Sequence, residues 1–181
     1  KGELKTPDFL ALNPRGKVPV IVDGGFALAE SAVIVEYLED MYPTPDRPLW
    51  PSDARARATA RRIAAEADSY LYPHGRTLVR ELLMRSAGEP DAAVLDAARE
   101  GLARELLRLE PVFANGFIAG SAPSAADYTV YPMLALLKRV EARKPQHKVL
   151  ALVPEGARAW MGRVEALPYS GKTTPPHWRS S

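Results

Sequence analysis

The sequence predicts a small α/β unit joined by a proline-rich connection to a larger all-helical unit, and three observations predict it. Two β-rich runs in residues 17–28 face each other across an Asp23-Gly24-Gly25 turn. Residues 43–51, PTPDRPLWP, hold four prolines, a density that no regular element survives. From Ser52 onward every apolar pattern has the period of a helix. The expected boundaries are 1–43 for the α/β part, 44–51 for the connection and 52–181 for the helical part.

Thr6 to Leu12 reads as a short helix, with Thr6 as N-cap, Pro7 at the first helical position and Asp8 in the first turn. Asn13-Pro14 ends it, because a residue before proline is pushed out of the helical region. Lys17 to Asp23 follows as a strand whose near-continuous apolar run predicts burial on both faces. Pro19 inside it has no N–H to donate, so it must sit at an edge, a strand start or a bend. A cis Val18–Pro19 bond would turn the N–H and C=O of Val18 outward, free to hold an extended peptide as an added strand. Phe26 to Leu28 returns antiparallel.

A helix over Ser31–Met41 comes next, with Ala32, Val33, Val35, Leu38 and Met41 on one side and Glu36, Glu39 and Asp40 on the other. Glu30-Ser31 opens it, where unpaired N–H groups and the helix dipole favour a bound carboxylate. On the motif alone, a plain helix cap at Glu30-Ser31 and a trans bond before Pro19 are the commoner arrangements.

In the helical part, Ser52 and Asp53 cap a long helix that Pro73 kinks, and Ser86 to Pro90 breaks it. Pro90-Asp91 opens a second helix through about Phe113, and a loop spans Asn115 to Pro123. Ser124 begins a helix to Val140 with Pro132 inside it, and its Ser124-x-x-Asp127 pattern is a capping-box variant. A last helix runs from Pro154-Glu155 to Leu167-Pro168, and an irregular tail is expected from Tyr169.

The net charge of +2 is small and its basic residues alternate with acids, so neither nucleic acid nor a membrane is indicated as a partner. Cysteine is absent, which removes disulfides and thiolate chemistry of the chain's own. The three histidines, His74, His147 and His177, lack metal-ligand spacing, and no metal is expected. No apolar run approaches the length of a membrane span and no signal-peptide pattern opens the chain, so a cytoplasmic protein is expected. A two-stranded hairpin buried on both faces does not stand alone, so at least one more strand and a helix are expected before Lys1.

The segments FLALNPRGKVPVIVDGG and LAESAVIVEYLEDMYP, the proline-rich link and a late SAADYTVYPMLALL together resemble a cytosolic glutathione S-transferase of bacterial type. The resemblance covers almost the whole chain with its motifs in family order. It implies a thioredoxin-like N-terminal domain, incomplete here by its first strand, helix and strand, followed by an all-α C-terminal domain. It implies glutathione as co-substrate, conjugated through its thiolate to a small hydrophobic electrophile in a detoxifying reaction. The activating Ser, Tyr or Cys would lie in the preceding segment, so the catalytic residue is unknown.

By the same resemblance Val18 pairs with the cysteinyl unit, Pro19 is the family's cis-proline, and Glu30 and Ser31 hold the γ-glutamyl amine and carboxylate. Lys17 would reach the glycyl carboxylate. A homodimer is implied, with Glu66 and Asp68 at its interface or near the γ-glutamyl end unless they are simply solvated acids. Tyr70, Tyr72 and His74 would line the electrophile pocket, against aromatic core packing as the commoner arrangement. Alternatives are a non-catalytic interaction or assembly module of the same fold, or a glutathione-dependent isomerase, dehalogenase or reductase.

Overall fold

The computed structural model describes residues 2–114 and 116–178. The chain divides into two compact units, one running to Leu49 and the other starting at Trp50. In the first, a 3₁₀ turn over Glu3–Lys5 leads into helix α1 (Pro7–Leu12). Thr6 Oγ1 caps α1 by accepting the Phe9 N–H at 3.3 Å. Strands β1 (Val20–Asp23) and β2 (Phe26–Ala29) pair antiparallel in the register Val20↔Ala29 to Asp23↔Phe26, and helix α2 (Ser31–Met41) follows.

Two expectations for β1 need correction. It begins at Val20 rather than Lys17, because Pro19 has no N–H for the ladder. Neither is it buried on both faces. Val22 is 54% exposed, and no residue of either strand is fully buried. Among the described residues β1 has a neighbour on one edge, and α2 lies over the face carrying Asp23, opposite Val22.

That face is pinned by a carboxylate. Asp23 Oδ2 accepts from the hydroxyls of Tyr37 and Tyr42, each at 2.7 Å, which ties the second half of α2 and the residue that caps its C-terminus to the hairpin turn. The bonds from Tyr42 and Tyr37 hold the Asp23 carboxyl below its usual range, and the Asp23 bond pushes Tyr37 up to about 12. The depressed acid contributes stability above the ordinary carboxylate pKa of about 3.9 and loses it as pH falls through its own lower value. The raised phenol contributes below about 10 and loses its share as pH rises through about 12. The melting advantage of wild type over a Tyr37→Phe, Tyr42→Phe double variant should therefore be flat from about pH 5 to 9 and shrink on both sides. A difference that does not vary from pH 3 to pH 11 would contradict this.

The second unit starts with Asp53, whose Oδ1 accepts the Ala56 N–H at 2.8 Å at the head of α3 (Ala54–Glu66). A π turn over Ala67–Leu71, helix α4 (Tyr72–Val79) and a second π turn over Arg80–Met84 continue the same rod. The first π turn ends two residues before Pro73, so the widened turn lies where the missing proline N–H leaves a carbonyl of the preceding turn without its donor. Helices α5 (Ala92–Leu109), α6 (Ala125–Arg143) and α7 (Glu155–Glu165) complete the bundle. Helix α6 runs three residues beyond the expected Val140, with Pro132 inside it. The loop after α5 begins at Asn115, which lies outside the described residues.

The core of this unit gathers Ile63, Leu71, Leu78, Leu102, Leu106, Phe113, Leu134, Leu137 and Trp160, none more than 1% exposed. Helices α4 and α5 meet closely because Gly101 leaves room for the His74 imidazole, where a Cβ would collide. Asp127, fully buried, accepts four hydrogen bonds: Ser124 N–H (2.8 Å) and Ser124 Oγ (2.9 Å) at Oδ2, Ile118 N–H (2.9 Å) and Trp160 Nε1 (2.8 Å) at Oδ1. The tail is not irregular as expected. It forms helix α8 (Ser170–Thr173) and a 3₁₀ turn at Pro176–Trp178, held to α6 by the Tyr128–Tyr169 hydroxyl pair and by Arg139 over the Trp178 ring. Among the described residues no helix is long and apolar enough to cross a membrane.

Candidate functional site

The hairpin ladder stops at Val20↔Ala29. Pro19 and Glu30 are the residues that flank this open end in the chain, with Val18 and Lys17 next on one arm and Ser31 next on the other. All five are exposed, Val18 to 65%. The Val18–Pro19 bond is cis. Val18 lies outside the ladder, and among the described residues no backbone hydrogen bond involves it.

The loop that delivers Val18 is built tightly. Asn13, 5% exposed, donates from Nδ2 to the Lys17 carbonyl at 2.8 Å and accepts the Arg15 N–H on Oδ1 at 3.1 Å. The Asn13 carbonyl takes the Gly16 N–H at 2.8 Å. Gly16 has φ +59, and a Cβ there would sit 2.8 Å from the Leu4 carbonyl oxygen, a backbone atom that cannot yield. Sequence reasoning treated Asn13 only as the end of a helix and missed its part in shaping the loop. The one signal for it was a polar side chain between two apolar runs.

On the opposite side of the open end, Glu30 sits at φ 73 and ψ 111, outside both helical and strand regions. A non-glycine residue there costs of order 1–3 kcal/mol and persists where surrounding structure enforces it. Its side chain makes no cap bond to α2. The first helical bond of α2 is Ile34 N–H to the Glu30 carbonyl at 2.9 Å, so the N–H groups of Ser31, Ala32 and Val33 precede the ladder and point out of the helix start. The plain-cap arrangement is therefore not what forms. What forms is an exposed carboxylate beside a hydroxyl and a helix N-terminus on one arm of the hairpin, with an unpaired peptide edge on the other. Such a set can receive an ammonium, a carboxylate and an extended peptide.

Residues predicted in the helical unit behave differently. Glu66 pairs with Arg62 at 2.6 Å along α3. Asp68 is exposed on the first π turn, and partial desolvation raises its carboxyl pKa. Tyr70 and Tyr72 are 58% and 47% exposed, so aromatic core packing is wrong for both. The widened turn directs them outward, and only His74 packs inward, onto Gly101. Tyr70 lines a cavity of about 290 Å³ with the Arg62–Glu66 and Arg108–Glu105 pairs, whose charges already neutralise each other.

Comparison with known proteins gives this arrangement its context. A family profile described as the glutathione S-transferase N-terminal domain matches residues 1–41, and its C-terminal counterpart matches 64–168. Glutathione S-transferase 3 of Zea mays is 36% identical over 178 residues, covering 95% of this chain and 77% of that protein. Maleylacetoacetate isomerase of Pseudomonas aeruginosa is 35% identical over 176 residues, covering 96% and 82%. Among solved structures, a glutathione S-transferase from the Antarctic clam Laternula elliptica aligns with a TM-score of 0.77 at 29% identity, covering 99% of this chain and 78% of that one. Glutathione S-transferase III in its apo form aligns at 0.74 with 32% identity, covering 94% and 80%. With both profiles matched in order along one chain, and relatives more than a third identical over nearly all of it, the protein belongs to the glutathione S-transferase family.

Proposed function

We propose that the chain acts as a glutathione transferase, joining the glutathione thiolate to small hydrophobic electrophiles, and that the open end of the hairpin, within residues 1–43, holds the tripeptide. The observation that carries this reading is the uncapped, exposed Glu30, held at φ 73, on one arm of the hairpin's open end and the exposed, unpaired peptide edge of Val18 on the other. Glutathione lies extended. Its cysteinyl unit pairs with the Val18 backbone next to cis Pro19, Glu30 takes the γ-glutamyl ammonium, and Ser31 with the α2 N–H groups takes the γ-glutamyl carboxylate. Lys17 takes the glycyl carboxylate. Holding both ends fixes the central thiol where its ionised sulfur attacks an electrophilic carbon, forming the S–C bond as the leaving group departs with its electron pair. None of these five residues ionises the thiol.

The partners proposed are glutathione, the electrophile and a second copy of the chain, in the cytoplasm. A clamp for a γ-glutamyl head has no use in a purely structural assembly module. Specific retention of the intact protein on immobilised glutathione, with release by the free tripeptide, is the expected result, and failure to bind would reject the reading. The resemblance to a maleylacetoacetate isomerase favours one second reading, in which the same held thiolate adds to a double bond and is expelled again. Product analysis separates the two, since conjugation consumes glutathione and isomerisation returns it.

A further inference from the structure

We infer that Asn13 is a positioning residue for glutathione, because its side chain fixes the direction of the Val18 N–H that receives the peptide; this rests on the proposed holding of glutathione along Val18. The geometry runs through one peptide plane. Asn13 Nδ2 donates to the Lys17 carbonyl at 2.8 Å, and that carbonyl shares its planar peptide unit with the Val18 N–H. The cis bond of this loop is Val18–Pro19, so the Lys17–Val18 unit is trans and its C=O and N–H point in opposite directions.

Anchoring the oxygen on buried Asn13 therefore aims the Val18 N–H away from Asn13, and Val18 itself is 65% exposed. The chemistry of the partners sets the orientation of the carboxamide. The Arg15 N–H requires the oxygen, and the Lys17 carbonyl requires the NH2 group. Donation into that carbonyl also polarises the peptide, which strengthens its N–H as a donor. Asn13 touches no ligand itself. It holds the plane that does.

Asn13→Asp keeps the acceptor for Arg15 and the side-chain shape but replaces the NH2 group with an oxygen that repels the Lys17 carbonyl. In the intact protein, calorimetry should show glutathione affinity falling roughly tenfold or more, with the KM for the electrophile unchanged and kcat within about twofold. A merely structural role would penalise every ligand of this site alike. Here the penalty should vanish for a glutathione analogue whose cysteinyl carbonyl is replaced by a methylene, because that analogue offers the Val18 N–H no acceptor. An equal penalty for both ligands, or none for glutathione, would overturn the inference.

A second measurement needs no variant. Saturating glutathione should shift the Asn13 side-chain N–H resonances of the wild-type protein, and the analogue should leave them in place. Unmoved resonances with glutathione bound would also overturn it. If wild type binds glutathione and analogue equally, the underlying placement along Val18 has failed; if wild type discriminates them and Asn13→Asp does so equally well, only the role of Asn13 has.

Discussion

Changing Asp127 to alanine is expected to destabilise the helical unit by about 3–5 kcal/mol, because it leaves several buried donors without an acceptor. The change strands four donors at once: the Ser124 N–H and hydroxyl, the Ile118 N–H and the Trp160 indole N–H. Each buried donor left unpaired costs about 1–3 kcal/mol, and the capping box at the start of α6 loses its carboxylate half. The melting midpoint should fall by about 10 °C or more, at the ~2–4 °C per kcal/mol typical of domains of this size. Asp127→Asn is expected to lie between the two, since it keeps the shape but turns one acceptor into a donor that faces other donors. A midpoint within about 2 °C of wild type for the alanine variant would show that the four bonds do not hold this junction together.

The second large effect is on binding. Ser31→Ala should raise the dissociation constant and KM for glutathione roughly tenfold to a hundredfold, as expected for losing a hydrogen bond of about 1.5–3 kcal/mol to a charged group. Ser31 is exposed, and the first turn of α2 uses no side-chain cap, so the melting midpoint should hardly move. Lowered affinity at unchanged stability is the signature of a contact made to ligand rather than to protein. Glutathione affinity equal to wild type would remove Ser31, and with it the γ-glutamyl end, from the proposed site.

How much of this was legible in the sequence depends on how far apart the cooperating residues lie. Val18-Pro19 and Glu30-Ser31 could be read because proline chemistry and helix-start chemistry are local. The hairpin turn that brings them together, Asp23-Gly24-Gly25, is local as well. The positive φ of Glu30 was not legible, since backbone strain in a non-glycine residue is imposed by tertiary context. Capping by Asp127 was readable from Ser124, three residues away, whereas its bond to Trp160 spans 33 residues and leaves no local trace. Nothing local marks Tyr37, in α2, and Tyr42, just after it, as partners of the turn. Their hydroxyls converge on one carboxylate of the turn. The strand was read as doubly buried from its near-continuous apolar run, but burial is a property of neighbours, and those on the Val22 face leave it 54% exposed.

The first π turn carries a consequence for how the long rod of the helical unit tolerates changes in length. Its buried positions run Ile63, Ala67, Leu71 and Gly75, each four residues from the last. At about 3.6 residues per turn such a row would wind steadily off the core, by more than a full residue over three steps. The widened turn absorbs that surplus and brings Leu78 back into line. It works as a shim. Loss of one exposed residue there, such as Ser69, would let the turn relax to ordinary helical pitch with the flanking helices still in phase, whereas the same loss inside α5 would rotate every later core side chain of that helix toward water. The rod thus has a built-in place where its length can change by one without its packing changing with it.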